Sequence, residues 1–295
     1  MNEAPAWVDR TEYPFRSRFL EIDGRRLHYI DEGQGPILLF VHGTPDWSFG
    51  YRKVIRSLSA EYRCVALDHL GFGLSDKPQD VVYTPAFQSA NLQSFIAALG
   101  LTDITLILHD FGGPIGLAYA ESCPQNIHAL ILLNTWFWSL KGDPHFESFD
   151  RLLGNALGRY LYLNLGFSAR IIMKSVFADK SHLPPSIHQQ YLQALPDPQS
   201  RKGTWDYARS LLGASDWFAD LWEHRDCLRS IPVRILWGGK DTAFRPKERD
   251  RLATAFPAAG VIDLPDCGHF VQEEKPDAVA AAIRDAVPAA QRAAR

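Results

Sequence analysis

Apolar positions along the first 135 residues fall into short, nearly unbroken runs separated by polar turns. "FLEIDG" and "RLHYIDEG" alternate apolar and polar side chains around Gly24 and predict a hairpin. "ILLFVH", "YRCVALDH", "ITLILHD" and "HALILLNT" are rich in leucine or β-branched residues and almost wholly apolar. Runs of that kind suit parallel strands covered on both faces, because neither face then has to meet water. Helical spacing lies between them, as in "PAFQSANLQSFIAALG", which ends on a glycine stop.

The rhythm breaks after Thr135. From residue 136 to about 229 no strand pattern emerges, and leucines and aromatics recur three or four apart. Five of the eight tryptophans fall there (Trp136, Trp138, Trp205, Trp217 and Trp222), which makes this the aromatic part of the chain. Strand signals return with "VRILWG" and "GVIDLP". The pattern predicts an α/β protein with a mostly parallel sheet flanked by helices. Its core is residues 1–135 and 230–295, and a helical lid, 136–229, is inserted between the two parts. An independent second domain fits less well, since the strand-and-helix rhythm resumes as one sheet. The tail "AVAAAIRDAVPAAQRAAR" predicts a last helix that frays after Pro288.

Composition narrows the function classes. The chain of 295 residues, 46% of them hydrophobic, has ample material for one large core. Its 31 basic and 34 acidic side chains give a formal charge of −3, which offers no footprint for nucleic acid. No run approaches the ~18 apolar residues of a membrane span. The beginning, "MNEAPAWVDRTEYPF", lacks a basic stretch backed by an apolar one. A cytoplasmic protein with no membrane partner is expected, of open oligomeric state. Cys64, Cys123, Cys227 and Cys267 match neither a zinc spacing nor a disulfide framework and read as small buried side chains.

The chemistry gathers at strand ends, where reactive groups of open parallel sheets collect. "LILHDFGGPIG" is a strand, a tight turn and a helix, with Asp110 at the corner and Gly112 and Gly113 letting the helix come close. It matches the nucleophile elbow G-x-S-x-G only in part, since Leu108 stands for the first glycine and Asp110 for the serine. Alone, Asp110 could equally be a helix cap. "WGGKDTAF" puts Asp241 at the end of the next-to-last strand, and "DCGHFVQEE" puts His269 in a turn after the last one. Nucleophile, acid and histidine in that order is the triad order of α/β-hydrolases. "FVHGTPDWSFGYR" supplies an oxyanion hole, with the Thr44 N–H joining the N–H of Phe111; Pro45 has none to give.

With "HGTPDWSFGYRKVI", "HDFGGPIGLAYA", "GGKD" and "CGHFVQEE" in place, the chain resembles the α/β-hydrolases, and within them the haloalkane dehalogenases, over nearly its whole length. The resemblance implies an eight-stranded sheet and no cofactor or metal. It implies Asp110 as nucleophile, His269 as base and Asp241 as its orienting acid. Some dehalogenases carry the acid after the sixth strand; "LLNTW" offers Asn134 there and no carboxylate, which favours Asp241. The family generally has tryptophan after the nucleophile and often asparagine in the HGNP-type turn. Phe111 and Thr44 stand in those places here.

An aspartate suits particular targets. Ionised at neutral pH, it needs no base to attack. Against an ester it would only form an anhydride, so its useful targets are saturated carbons bearing a leaving group. Halide departure calls for indole or amide N–H donors, for which Trp136, Trp138 and Trp47 are candidates. Epoxide opening calls for a phenol, for which Tyr160, Tyr162, Tyr191 and Tyr207 are candidates, although aromatics at helical spacing usually pack. The expected function is dehalogenation of a small apolar molecule through an alkyl–enzyme ester. The alternatives are an epoxide hydrolase and a catalytically silent ligand-binding protein.

Overall fold

The computed structural model describes residues 4–287 of the 295. The strands are β1 (Arg18–Ile22), β2 (Arg25–Glu32), β3 (Ile37–Val41), β4 (Arg63–Leu67), β5 (Ile104–Asp110), β6 (Ile127–Thr135), β7 (Val233–Gly238) and β8 (Gly260–Leu264). They form one sheet in the order β1-β2-β4-β3-β5-β6-β7-β8. The β1–β2 and β2–β4 pairings are antiparallel and the remaining ones parallel. The hairpin closes through Asp23-Gly24, with φ of 51° and 72°, as a two-residue turn with both central residues left-handed requires.

Side chains alternate across the sheet and feed two separate cores. Leu39 and Val41 of β3, Val65 and Leu67 of β4, and Leu106 and Leu108 of β5 face one core. Leu38, Phe40, Cys64, Ala66 and Ile107 face the other. Every residue of β5 is buried, so the strand that carries Asp110 is clamped from both sides.

The first core is covered by α2 (Pro85–Ala98), α3 (Gly112–Ser122), α9 (Ser215–His224) and α10 (Pro246–Ala255). The second is covered by α1 (Arg52–Leu58), α11 (Val271–Glu274) and α12 (Pro276–Ala286). Thr84 caps α2, its hydroxyl accepting from the Phe87 N–H, and Pro85 opens the first turn, where a missing N–H costs nothing.

Between Thr135 and Val233 the described residues form helices and turns without a strand: α4 (Pro144–Leu153), α5 (Ala156–Leu165), α6 (Met173–Val176), α7 (Pro185–Gln193), α8 (Lys202–Gly213) and α9. Helices α4, α5, α6 and α8 enclose a cavity at the carboxyl ends of the strands, whereas α9 returns to lie along α3. The fraying expected after Pro288 lies outside the described residues. All four cysteines are free, but only Cys64 and Cys267 are buried. Cys123 is half-buried, and Cys227 is exposed in the short 3-10 helix Arg225–Leu228. Among the described residues no helix is long and apolar enough to cross a membrane, and no cluster of three or more metal-ligating side chains occurs.

Candidate active site

Asp110 ends β5 with a φ of 53°, in the left-handed region that a non-glycine residue seldom adopts. The sharp reversal into α3 forces this, and it aims the carboxylate away from the sheet. Close neighbours hold it there. The Thr135 hydroxyl donates to the Asp110 carbonyl at 2.6 Å, and a Cβ on Gly113 would come within 1.8 Å of that hydroxyl. A Cβ on Gly43 would sit 2.0 Å from Asp110 Oδ1, so glycine is what lets the turn after β3 lie against the carboxylate.

That turn delivers the Thr44 N–H, which donates to Asp110 Oδ1 at 2.8 Å. The Phe111 N–H lies near the same carboxylate and helps to hold its pKa down. Oδ2 faces His269, whose Nε2 is 3.7 Å away. Burial pushes the Asp110 carboxyl above the usual carboxylate range, and the charge of His269 and the two backbone donors only partly offset it.

His269 lies between β8 and α11. Its N–H donates to the Val176 carbonyl at 2.9 Å, and its Nδ1–H faces Asp241 Oδ2 at 2.8 Å. Burial opposes a charge on the imidazole, but Asp241 and then Asp110 outweigh it and hold the pKa above the ordinary value. Asp241 itself is fixed at both oxygens: Oδ1 accepts the Ala243 N–H at 2.7 Å, and Oδ2 also accepts from Asn134 Nδ2 at 2.7 Å.

Asn134 is a site residue that the sequence reading passed over, having weighed it only as a missing carboxylate. Its Oδ1 accepts the Gly238 N–H at 2.7 Å, so one side chain ties the end of β6 to the end of β7 and to Asp241. Its φ of 29° was the only other trace, and that is invisible in sequence. A second support lies behind the imidazole. His109 Nε2–H donates to the His269 carbonyl at 2.9 Å, and the Gln272 amide donates to His109 Nδ1 at 3.1 Å and to Asp46 Oδ2 at 3.1 Å. That amide fixes the His109 tautomer, and burial keeps His109 uncharged.

The carboxylate opens on a cavity of about 350 Å³. Its walls are mostly apolar, with Phe146, Phe149, Leu153, Phe167, Ile172 and Met173 from the lid and Phe244 and Phe270 from the core. Thr44, Pro45, Asp110, Phe111 and His269 form the floor. The three candidate tryptophans are not among the lining residues. Trp47 is buried against Trp7, Tyr13 and Phe49, and Trp138 packs on Phe137 and Trp222 beneath Arg251. Both fill seams between elements, where their bulk is wanted. Trp136 sits behind the cavity wall, edge-on to Phe111 and against Phe244, and its indole N–H has no partner.

The lid tyrosines separate as well. Tyr160 is exposed, and Tyr191 donates to Glu273. Tyr162 lines the cavity. Tyr207 is buried with its ring 4.4 Å from that of Phe111, and its hydroxyl has no partner. Burial, with the nearby Asp110 charge, pushes that phenol well above its ordinary pKa. The Thr44 hydroxyl is likewise buried and unpartnered.

A parallel sheet with an elbow aspartate, and with acid and histidine at the ends of β7 and β8, defines a class. The chain belongs to the α/β-hydrolase fold family, whose model matches residues 36–276. Among its relatives, haloalkane dehalogenase 2 of Mycobacterium tuberculosis and Mycobacterium bovis is 36% identical over 274 residues, covering 92% of this chain and 94% of that protein. A cis-3-alkyl-4-alkyloxetan-2-one decarboxylase of Shewanella oneidensis is 31% identical over 93% of this chain and 89% of its own length. In structure, haloalkane dehalogenase DbeA from Bradyrhizobium elkani superposes with a TM-score of 0.83 at 21% identity, covering 92% of this chain and 97% of DbeA.

Proposed function

We propose that the protein is a haloalkane-dehalogenase-like hydrolase, which converts a carbon–halogen bond to an alcohol and halide through an ester on Asp110. One observation carries the reading. A carboxylate with Oδ1 held by the Thr44 N–H presents Oδ2 to an apolar cavity, 3.7 Å from a histidine that an aspartate orients.

In this reading Oδ2 attacks the saturated carbon, and the electron pair of the carbon–halogen bond leaves with the halide. Oδ1 becomes the ester carbonyl oxygen. His269 Nε2 then takes a proton from water, whose oxygen attacks Cγ of Asp110. The negative charge that develops on Oδ1 lies beside the Thr44 N–H, already placed to receive it. Collapse expels the alkoxide, which takes the proton back from His269, and the remaining proton of the water leaves the Asp110 carboxyl for solvent, restoring the carboxylate. Asp241 Oδ2 stabilises the imidazolium between these transfers and keeps Nδ1 as the protonated nitrogen. The dry, apolar walls strengthen each electrostatic contact and keep bulk water from the intermediate.

A second reading has its own observation. No indole lines the cavity, whereas Tyr162 does, and Tyr207 keeps a buried, unpartnered hydroxyl beside Phe111. A phenol suits the oxygen of a strained ring, epoxide or oxetanone, better than a departing halide. The named oxetanone decarboxylase acts on a ring of that kind. Halide release from a panel of brominated alkanes tests the first reading. Diol from styrene oxide without bromide from any alkane would move the assignment to the second, and Tyr207→Phe should then abolish ring opening. A purely ligand-binding protein would keep its affinity in Asp110→Asn and turn over neither substrate.

A further inference from the structure

Of the large hydrophobic side chains exposed among the described residues, all but Val82 and Val261 fall between residues 152 and 171. Leu152, Leu157, Tyr160, Leu165 and Ile171 are each between 51% and 70% exposed. On α5 the outward positions 157, 160, 161 and 165 follow helical spacing, so Leu157, Tyr160, Leu161 and Leu165 make one stripe. The adjoining face of the same helix buries Gly158 and Tyr162, and Tyr162 lines the cavity. The apolar arc of α5 therefore extends well past the part that the rest of the protein covers.

The charge around the stripe is one-sided. Residues 151–174 contain Arg151, Arg159, Arg170 and Lys174, all exposed, and no aspartate or glutamate. None of these four forms an ion pair among the described residues; the nearby Asp150 is taken by Arg209. In a chain of net charge −3, this segment thus carries four exposed cations without an ion pair among the described residues, alongside its exposed leucines. Apolar side chains that enter a headgroup layer, with arginines and lysines at its level, are what an anionic lipid surface recognises. Another protein surface would need an apolar patch with an acidic rim, whereas a bilayer offers both features over any area.

We propose that this face, formed by residues 151–174 at the end of α4 and over α5 and α6, docks on anionic lipid bilayers. The absence of a membrane-spanning run, on which the sequence-based expectation of no membrane partner rested, does not bear on a surface contact of this kind. The inner residues of the same segment, Leu153, Tyr162, Phe167, Ile172 and Met173, line the cavity. A bilayer under the lid would therefore lie one helix away from the apolar space.

Flotation of the full chain with vesicles of phosphatidylcholine, with and without about a third phosphatidylglycerol, tests this without reference to turnover. Binding is expected to the anionic vesicles, to weaken with salt, and to be nearly absent from the neutral ones. Arg159→Gln with Arg170→Gln should lower partitioning about thirtyfold at low salt, the effect of removing two surface cations. Leu157→Gln with Leu165→Gln should abolish it, and an unchanged melting temperature and elution volume would show those variants folded. No flotation with anionic vesicles would overturn the proposal. So would a wild-type dimer that the leucine variant splits, because the patch would then be an interface between copies.

Discussion

Asn134 and Asp241 are joined by a 2.7 Å hydrogen bond to the same carboxylate oxygen that faces His269. The asparagine therefore acts on the imidazole through the acid. Without that donor the Asp241 oxygen has only the imidazole to share its negative charge with, and the imidazolium becomes easier to form. Asn134→Ala is expected to shift the acidic limb of the kcat profile to higher pH and to lower kcat. It should also cost about 1–3 kcal/mol of stability, because the buried Gly238 N–H and Asp241 Oδ2 lose a partner. A pH–rate profile with a thermal melt checks this. An unmoved profile would reduce Asn134 to a tie between strands.

His269→Phe removes the proposed base but leaves Asp110 and its Thr44 donor in place. The first displacement should proceed and the ester should persist. Intact-mass spectrometry after addition of a bromoalkane is expected to show the alkyl group on the protein. An unmodified mass, with the variant folded, would argue against a covalent intermediate.

The pKa shifts give a sign to the pH dependence. In the proposed mechanism His269 is a base only when neutral, and its pKa is held above the ordinary value because Asp241 and Asp110 outweigh the burial that opposes charge. Ester hydrolysis should therefore be intact at high pH and fall as pH drops through that raised value. The midpoint should lie above that of a free imidazole. Asp110 must be ionised to attack, and burial raises its pKa too. In His269→Phe the carboxyl loses the charge that most lowers its pKa, so the acidic limb of ester formation should move upward. Single-turnover rates across pH, read by mass, measure both.

Phe111 is wedged between Trp136 and Tyr207, with ring centres 4.9 and 4.4 Å away. Phe111→Trp would place an indole N–H beside Asp110 in a space already filled. Overpacking should cost about 1–3 kcal/mol. If a halide leaves from this site, bromide release should nevertheless rise relative to epoxide opening, and that ratio is the measurement.

The layers were readable in the sequence because strands buried on both faces cannot hide their composition. "ITLIL" and "ILLFV" had to be central, and β5 and β3 are neighbours at the middle of the sheet. Asp110, Asp241 and His269 were readable because each follows such a run at a turn. The leaving-group side was not. Trp47, Trp136 and Trp138 all carry a suitable N–H, but whether an indole faces a cavity depends on the angle at which neighbouring helices cross the strand end, and no local pattern encodes that. Asn134, His109 and Gln272 escaped for a related reason. Each works through a partner far away along the chain, and nothing in the neighbouring sequence distinguishes them from core polar residues.

The two oxygens of Asp110 lead unequal lives. One rests on a backbone amide, and the other alone points at the cavity and the imidazole. If the carboxylate does not rotate, the product alcohol carries away the free oxygen at every cycle and solvent replaces it, while its twin stays in the protein indefinitely. Run in heavy-oxygen water, the enzyme would thus keep a record of its history. A side chain that has completed one cycle should be indistinguishable by mass from one that has completed thousands, each bearing a single new atom.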